Sequence, residues 1–250
     1  MIQIKSSRDI KRMEKAGQIA ALALQKGKSM AEPGITTRQI DTEIRKMIQS
    51  YGATPSFLGY RGYPASCTIS VNQEVIHGIP GRRTLREGDI VSIDVGASFE
   101  GFHGDTAATF GVGKISPEAL RLIEVTEECF FTGLSEAVAG RRVSDIGAAI
   151  FRHADKHGFG VIRDWTGHGI GRLLHEDPEV PNFPATKGSP RLLPGMTLAV
   201  EPMITAGDWK AKVLRDKWTV VTEDGSLAAH YEHTVLITEE KPRLLTLAEK

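Results

Sequence analysis

The chain repeats one order of motifs, and this internal repeat is the feature that most constrains its fold. The tripeptide His-Gly-Ile occurs at 77–79 and again at 168–170. Two helical periodicities precede each copy: one begins at Ser7, with a second helix N-capped by Thr37, and the other pair begins at Ser116. A chain built in this way is expected to fold as two similar halves. Small and aliphatic residues recur 106 positions apart: Gly34 and Gly140, Ile40 and Ile146, Ile44 and Ile150, Gly52 and Gly158.

Acidic residues occupy matching places in the two halves. The segment LREGDIVSID at 85–94 parallels LLPGMTLAVE at 192–201, and both end an apolar, strand-like run with a carboxylate. In the same way HGD at 103–105 parallels HYE at 230–232. We expect two α/β halves related by a pseudo-two-fold axis, which would bring the four carboxylates towards one centre. The matched pairs are Asp94 with Glu201 and Asp105 with Glu232.

Two of these carboxylates belong to one predicted hairpin. The runs Ile90–Val95 and Phe102–Phe110 are typical of strands. A turn centred between residues 99 and 100 would place Asp94 directly opposite Asp105, with β-carbons about 4.5–5.5 Å apart. Carboxylates at that distance repel each other, and burial increases the cost. Either one of them is protonated or a cation lies between them; the alternative is that both aspartates point to solvent.

A cation centre would balance the charges of these converging carboxylates. Four carboxylates and a histidine that converge in a packed interior would destabilise it strongly if they had no partners. His168 is the better histidine candidate, because the glycines on both sides let the backbone approach closely. Two divalent cations would balance four negative charges, and oxygen ligands with one imidazole suit Co, Mn, Fe, Zn or Ni. The predicted cofactor is therefore a pair of divalent metal ions.

Composition indicates the cellular setting. Lys+Arg and Asp+Glu both number 31, so the net charge favours neither a nucleic-acid nor a membrane partner. Cys67 and Cys129 are too few for a disulfide framework and fit a reducing compartment. The N-terminal segment becomes charged within five residues, and no apolar run is long enough to span a bilayer. We expect a cytoplasmic protein.

Five motifs resemble those of type I methionine aminopeptidases, which are single-domain members of the pita-bread metallopeptidases. The motifs are VNQEVIHGIP, GDIVSIDVGASFEGFHGDTAATF, TGHGIGRLLHEDPEVPNF, GMTLAVEPM and HYEHTVLIT. The resemblance implies an α+β pita-bread fold in one catalytic domain over 1–250. Its two pseudo-two-fold-related halves, about 7–115 and 116–240, would surround a curved, largely antiparallel sheet. The implied metal ligands are Asp94, Asp105, His168, Glu201 and Glu232.

The same resemblance implies an activity, namely removal of the N-terminal methionine from nascent proteins and peptides whose second residue is small. Water activated by two metals would attack the first peptide bond. Glu201 would take a proton from that water and return it to the leaving amine. His175 would hydrogen-bond the scissile carbonyl, and His77 would orient the scissile amide nitrogen or the backbone that follows it.

A narrow apolar pocket would select the unbranched methionine side chain. Thr68 and Leu174 stand where cysteine and phenylalanine are frequent in the family, and Arg61 stands where a histidine or glycine is frequent. These departures leave the fine preference for the second residue open. The implied lining residues are Phe57, Tyr60, Tyr63, Thr68, Leu174 and Trp218.

Two other functions remain open from the sequence. Xaa-Pro aminopeptidases and prolidases share the fold and the ligands but resemble this chain only after a separate N-terminal domain, for which a first helix near residue 7 leaves no room. A non-catalytic pita-bread binding module usually lacks some ligands, whereas all five positions are filled here. We expect a monomer that acts on nascent polypeptide N-termini and needs no nucleic acid or membrane. The basic segment 210–219 is most simply a solvated face, and a transient ribosome contact is its alternative role.

Overall fold

The computed structural model describes residues 1–184 and 188–248. Within them, four α-helices and fifteen short strands form, with one 3₁₀ turn at Tyr60–Gly62. No described helix combines the length and apolarity that a membrane span requires. The helices are α1 Ser7–Ser29, α2 Thr37–Ser50, α3 Pro117–Leu134 and α4 Val143–Lys156. The strands are β1 Thr54–Pro55, β2 Thr68–Val71, β3 Glu74–Ile76, β4 Ile90–Phe99, β5 Phe102–Gly111, β6 Gly160–Val161, β7 Gly167–Gly169, β8 Glu176–Val180, β9 Thr197–Val200, β10 Met203–Thr205, β11 Ala211–Val213, β12 Val220–Thr222, β13 Ala228–His230, β14 Glu232–Leu236 and β15 Arg243–Leu244.

The helices follow the repeat that the sequence indicates. Helix α4 begins and ends 106 residues after α2. Gly34 and Gly140, which precede these helices, both adopt positive φ, at 95° and 88°. Helix α3 begins at Ser116-Pro117 as predicted, and Ser116 is its N-cap, because its side chain accepts a hydrogen bond from the backbone N–H of Ala119.

The predicted N-cap of α2 is wrong by one residue. Thr36, not Thr37, is the cap: its side chain accepts from the backbone N–H of Gln39, whose side chain in turn accepts from the backbone of Thr36. Thr37 is inside the helix, and its hydroxyl oxygen accepts a hydrogen bond from the backbone N–H of Gly81.

The largest sheet joins the two halves. Its main path is β1-β4-β5-β14-β9-β7-β8, with β2 paired to β4 and β15 paired to β14. All of these pairings are antiparallel. Strand β5 of the first half pairs with β14 of the second, so the halves meet between these two strands. Two three-stranded sheets, β13-β10-β6 and β11-β12-β3, complete the β-structure of the described residues.

Helices cover one face of the main sheet. Helix α1 approaches β5 so closely that a Cβ on Gly104 would lie 2.5 Å from the Cα of Gly17. Ile93 on β4 lies in the apolar cluster beneath α1 and α2. Neighbouring residues of a strand point to opposite faces. Asp94 and Asp105, which follow Ile93 and Gly104, therefore point away from these helices.

The second half is built in the same manner. Leu122 and Phe130 of α3 and Ile146 of α4 pack in one cluster with Leu198 and Val200 of β9. Burial of each such side chain is worth about 1.5–3 kcal/mol. The two helix pairs thus hold the sheet from one side and leave its other face to polar residues.

The β4–β5 hairpin is two residues away from the predicted register. Glu100 and Gly101 form its turn with φ of 47° and 77°. Positive φ at both central positions defines the type I′ turn that matches the twist of a hairpin, and glycine adopts it at the lowest cost. Asp94 therefore pairs with Ala107, and the predicted direct pair of Asp94 with Asp105 is wrong. A shift by an even number of residues keeps every side chain on its face, so the two carboxylates still share one face, diagonally placed.

Candidate active site

The register of the main sheet brings three carboxylates together. Asp94 on β4 and Glu232 on β14 both pair with Ala107 on β5, from opposite sides. Asp105 precedes Ala107 by two residues on the same strand. Cross-strand partners and residues two apart share a face. All three carboxylates therefore lie on the face that the helices leave free.

Glu201 and His168 reach this group from neighbouring strands. His168 on β7 pairs with Ala199 on β9, and Glu201 follows Ala199 by two residues. The Nε2 atom of His168 lies 3.5 Å from Oε1 of Glu201. Nδ1 of His168 donates to the carbonyl oxygen of Gly169 at 2.8 Å. In the neutral imidazole this leaves the lone pair of Nε2 facing the carboxylates.

The acidic side chains are buried without enough hydrogen-bond partners. Asp94, Asp105 and Glu232 are exposed by 8%, 4% and 2%. One oxygen of each, Oδ1 of the aspartates and Oε1 of Glu232, has no hydrogen-bond partner. Buried polar atoms in native proteins are nearly always paired. A cation bound between these side chains would provide the partner that these oxygens lack.

Burial raises the pKa values of all four carboxyl groups, and the charge of neighbouring carboxylates adds to the rise at Asp94, Glu201 and Glu232. Burial raises the pKa of Asp105 to about 7. Burial, and then the charge of Asp105, raises the pKa of Glu201. Burial followed by the neighbouring carboxylates raises the pKa of Asp94 and of Glu232 well above their usual range. Four carboxylates cannot all stay ionised here without compensating positive charge.

This donor set fits divalent metal ions. Asp105, His168 and Glu232 each present a ligand atom within 4.8 Å of the others. Carboxylate oxygens with one imidazole nitrogen suit Mn, Fe, Co or Zn. Bound cations would pair the carboxylate oxygens that otherwise have no partner, so the residues present match the chemistry of the group.

A cavity of about 140 Å³ adjoins the carboxylates. Its wall contains all the side chains for which the family resemblance implies a site role, and Arg61 in addition. The lining residues are Phe57, Tyr60, Arg61, Tyr63, Thr68, His77, Asp94, Asp105, His168, Leu174, His175, Glu201, Trp218 and Glu232.

His77 has an uncommon backbone conformation at the cavity wall. Its φ is 60°, in the left-handed region that few residues other than glycine adopt. The next residue must be glycine, because a Cβ on Gly78 would lie 2.3 Å from the carbonyl oxygen of Ile69. Burial lowers the pKa of His77 to about 4, so its ring is neutral at pH 7. Unusual backbone of this kind concentrates at functional sites.

His175 lies beside His168. Its ring centroid is 4.0 Å from that of His168 and 5.1 Å from that of Tyr60, on which it stacks. Burial, and then the nearby His168 and Arg61, lower the pKa of His175 to about 3. The ring is therefore neutral at physiological pH and has one N–H to donate.

The rest of the cavity wall is aromatic and firmly held. The hydroxyl of Tyr63 lies 2.9 Å from the carbonyl oxygen of Gly78, to which it donates. Trp218 packs edge-on against Tyr63, with ring centroids 5.0 Å apart. Phe57 and Leu174 belong to the same apolar cluster. A narrow apolar slot thus adjoins the acidic centre.

Two further residues, which the sequence motifs did not single out, support the acidic side chains. The hydroxyl of Thr234 accepts from the backbone N–H of Asp105 and donates to its carbonyl oxygen, both at 2.9 Å. Asn182 donates to the carbonyl oxygen of Glu201 at 3.0 Å. Both fix the backbone of an acidic residue. Their sequence signal is weak, because threonine and asparagine bond to backbone groups in many other settings.

Comparison with models of known protein families shows the family to which this chain belongs. Residues 11–239 match the profile described as metallopeptidase family M24. The chain belongs to metallopeptidase family M24. A protein of Clostridium perfringens named methionine aminopeptidase is 51% identical to this M24 chain, over 99% of each.

Comparison with solved structures shows how similar the fold of this M24 chain is to the folds of known proteins. The crystal structure of methionine aminopeptidase from Thermotoga maritima superposes with a TM-score of 0.97 at 42% identity and covers 100% of both chains. The prolidase from Pyrococcus furiosus has a TM-score of 0.80 at 23% identity, and the match covers 99% of this chain but 66% of the prolidase. The prolidase therefore shares the fold alone. The predicted resemblance to type I methionine aminopeptidases and the predicted pita-bread fold are confirmed.

Proposed function

We propose that the protein removes the N-terminal methionine from nascent proteins and peptides whose second residue is small. One observation carries the proposal: a single cavity joins five acidic and imidazole ligands to a narrow aromatic slot. The identity of 51% over nearly full length to a relative named methionine aminopeptidase supports the same activity.

The ligand set would hold two divalent ions, with Co, Mn, Fe, Zn and Ni all compatible. The buried carboxylate oxygens without hydrogen-bond partners support this assignment. Bound ions would supply Lewis acidity and lower the pKa of water to about 7. The proposed ligands are Asp94, Asp105, His168, Glu201 and Glu232.

Glu201 is the residue best suited to move protons. Its side chain is 12% exposed, so it faces the cavity rather than bulk solvent. Glu201 would accept a proton from the attacking water and deliver it to the nitrogen of the leaving amine. A positioned general acid–base group contributes about 10²–10⁴-fold to a rate.

His175 and His77 would bind the peptide bond itself. Both rings are neutral at pH 7, because burial lowers the pKa of His175 to about 3 and that of His77 to about 4. An N–H of His175 would donate to the scissile carbonyl oxygen as negative charge develops on it. His77 would orient the scissile amide nitrogen or the backbone that follows.

The aromatic slot would hold the methionine side chain. Phe57, Tyr63 and Trp218 offer ring surfaces to a thioether, and sulfur–aromatic contacts are worth about 0.3–1.5 kcal/mol each. A cavity of about 140 Å³ is small, so a bulky second side chain is not expected to fit beside the methionine. Tyr60, Thr68 and Leu174 would complete the wall.

The proposed setting is the cytoplasm, where one domain over 1–250 would act as a monomer on nascent N-termini. Cys67 and Cys129 are free and buried thiols, which suits a reducing compartment. Most of the basic segment 210–219 is exposed, which suits a transient ribosome contact. The chemistry needs neither nucleic acid nor a membrane.

The test compares Met-Ala-Ser with Xaa-Pro peptides as substrates of the metal-loaded protein. We expect methionine release from Met-Ala-Ser and no cleavage of Xaa-Pro. Glu201→Gln should lose activity by about 10²–10⁴-fold, whereas Glu124→Gln, at an exposed position of α3, should leave it unchanged. Cleavage of Xaa-Pro alone would favour a prolidase, and cleavage of neither peptide would favour a binding module.

A further inference from the structure

A second histidine faces the carboxylates and has no role in the proposed chemistry. His230 ends β13 and is 2% exposed. Its Nε2 atom is buried and has no hydrogen-bond partner. This atom lies 3.7 Å from Oε2 of Glu201 and 4.0 Å from Oε2 of Glu232. The ligand atoms of these three residues all lie within 4.8 Å of one another.

The backbone of His230 is fixed in this position. Its N–H donates to the hydroxyl of Thr109 at 2.8 Å, and that hydroxyl lies 2.9 Å from its carbonyl oxygen. His230 also pairs with Met203 in the sheet of β10 and β13. The imidazole is therefore presented to the carboxylates by a rigid strand end and not by a loop.

The distances suit a shared cation better than a direct hydrogen bond. A nitrogen-to-oxygen hydrogen bond spans about 2.7–3.2 Å, which both separations exceed. Two ligand atoms bound to one cation can be at most about 4.2 Å apart, which is twice a metal–ligand bond length of about 2.1 Å. Both separations fall below this limit. Glu201 has a matching arrangement at its other oxygen, because Oε1 faces His168 while Oε2 faces His230.

We propose that His230 is a further metal ligand, which holds a divalent cation together with Glu201 and Glu232. This inference rests on the proposed function, because the two carboxylates also belong to the proposed metal centre. It adds an imidazole donor to the five ligands that the motifs imply. Divalent ions that accept a mixed set of carboxylate and imidazole ligands, such as Mn, Fe, Co or Zn, are the expected occupants.

His103 provides a matched control. It holds the same place in HGD that His230 holds in HYE, two residues before an acidic ligand. Its Nδ1 atom is 2.8 Å from the hydroxyl of Ser56, and among the described residues it belongs to no group of side chains that could share a metal ion. His103 is therefore a repeat partner with its own hydrogen bond and no part in the centre.

Anomalous diffraction from wild-type crystals soaked in Mn²⁺ tests the proposal without a variant. We expect an anomalous peak within about 2.5 Å of His230 Nε2, near Glu201 and Glu232. Cations bound only by Asp94, Asp105, His168, Glu201 and Glu232 would overturn the inference and leave the proposed function intact. Absence of any cation from these side chains would overturn both.

Calorimetric titration of the metal-free protein with Mn²⁺ gives a second readout. His230→Leu removes the donor at similar volume, and we expect one binding equivalent to weaken by roughly tenfold to a hundredfold or more. His103→Leu should bind as the wild type does. Wild-type affinities and stoichiometry in a folded His230→Leu protein would contradict the proposal.

Discussion

Replacing Asp105 with asparagine is expected to change stability in opposite directions with and without bound divalent ions. Asp105 is 4% exposed, and its Oδ1 atom has no hydrogen-bond partner. Burial raises its pKa from 3.8 to about 7. The folded protein therefore binds this proton more tightly than the unfolded chain does. The metal-free protein should lose stability as the pH rises from about 4 to about 7 and keep the full penalty above that range.

The size of the effect follows from the two pKa values. The difference between 7 and 3.8 corresponds to about 4 kcal/mol, at ~1.36 kcal/mol per pH unit. The amide of asparagine is itself buried and imperfectly paired, which costs about 1–3 kcal/mol. Asp105→Asn should therefore stabilise the metal-free protein by roughly 1–3 kcal/mol at pH 8. With Mn²⁺ at a hundred times its Kd, the wild type should gain about 2.7 kcal/mol per bound ion, and the variant should gain less because it lacks one of the proposed ligands.

Urea unfolding at pH 8, with chelator and with Mn²⁺, measures both effects. Asp155→Asn, at an exposed position of α4, is the matched control and should change stability by no more than about 0.5 kcal/mol in either condition. At pH 4 the advantage of Asp105→Asn should disappear, since the wild-type carboxyl is then protonated in the folded state. An Asp105→Asn protein that is less stable than the wild type in chelator at pH 8 would refute the electrostatic reasoning.

Three further predictions concern the walls of the site. Gly78→Ala should lower the free energy of unfolding by about 3 kcal/mol or more, measured by urea titration, because its Cβ would lie 2.3 Å from a backbone carbonyl oxygen; an unchanged midpoint would contradict the close approach. Thr234→Val should cost about 2–4 kcal/mol, since it leaves the N–H and carbonyl of Asp105 without partners, and Thr234→Ser should restore most of this in the same assay. His175→Ala should reduce kcat on Met-Ala-Ser by about 10²–10³-fold. The shape of the pH–rate profile between pH 5 and 8 should stay the same, because the pKa of His175 is about 3; loss of a limb in that range would show that His175 titrates there.

The repeat and the convergence of the carboxylates could be predicted because each depends on local pattern. The equal spacing of α2 and α4 follows from apolar periodicity and turn glycines, which are visible in the sequence. The shared face of Asp94 and Asp105 depends only on the two-residue period of a strand, so it survived an error of two residues in the register. The pairing of strands that are far apart in the chain could be predicted only from the repeat, which indicated that Glu232 lies near Asp105.

Other features depend on contacts that the sequence does not encode locally. The positive φ of Glu100 and Gly101 sets the register of the β4–β5 hairpin. The sequence between the two strands is compatible with more than one position of the turn, so the register could not be predicted from it. The support that Thr234 gives to Asp105 crosses 129 residues of chain. The unpaired Nε2 atom of His230 is visible only once its strand is placed beside the carboxylates.

The most direct test of the dinuclear centre is hydrolysis of Met-Ala-Ser by protein from which metal ions have been removed, followed by stepwise return of Mn, Fe, Co or Zn. We predict no methionine release after chelation and recovery that is complete by about two equivalents of an effective ion. Full hydrolysis by the metal-stripped protein would contradict the proposal that these buried carboxylates act by binding divalent cations.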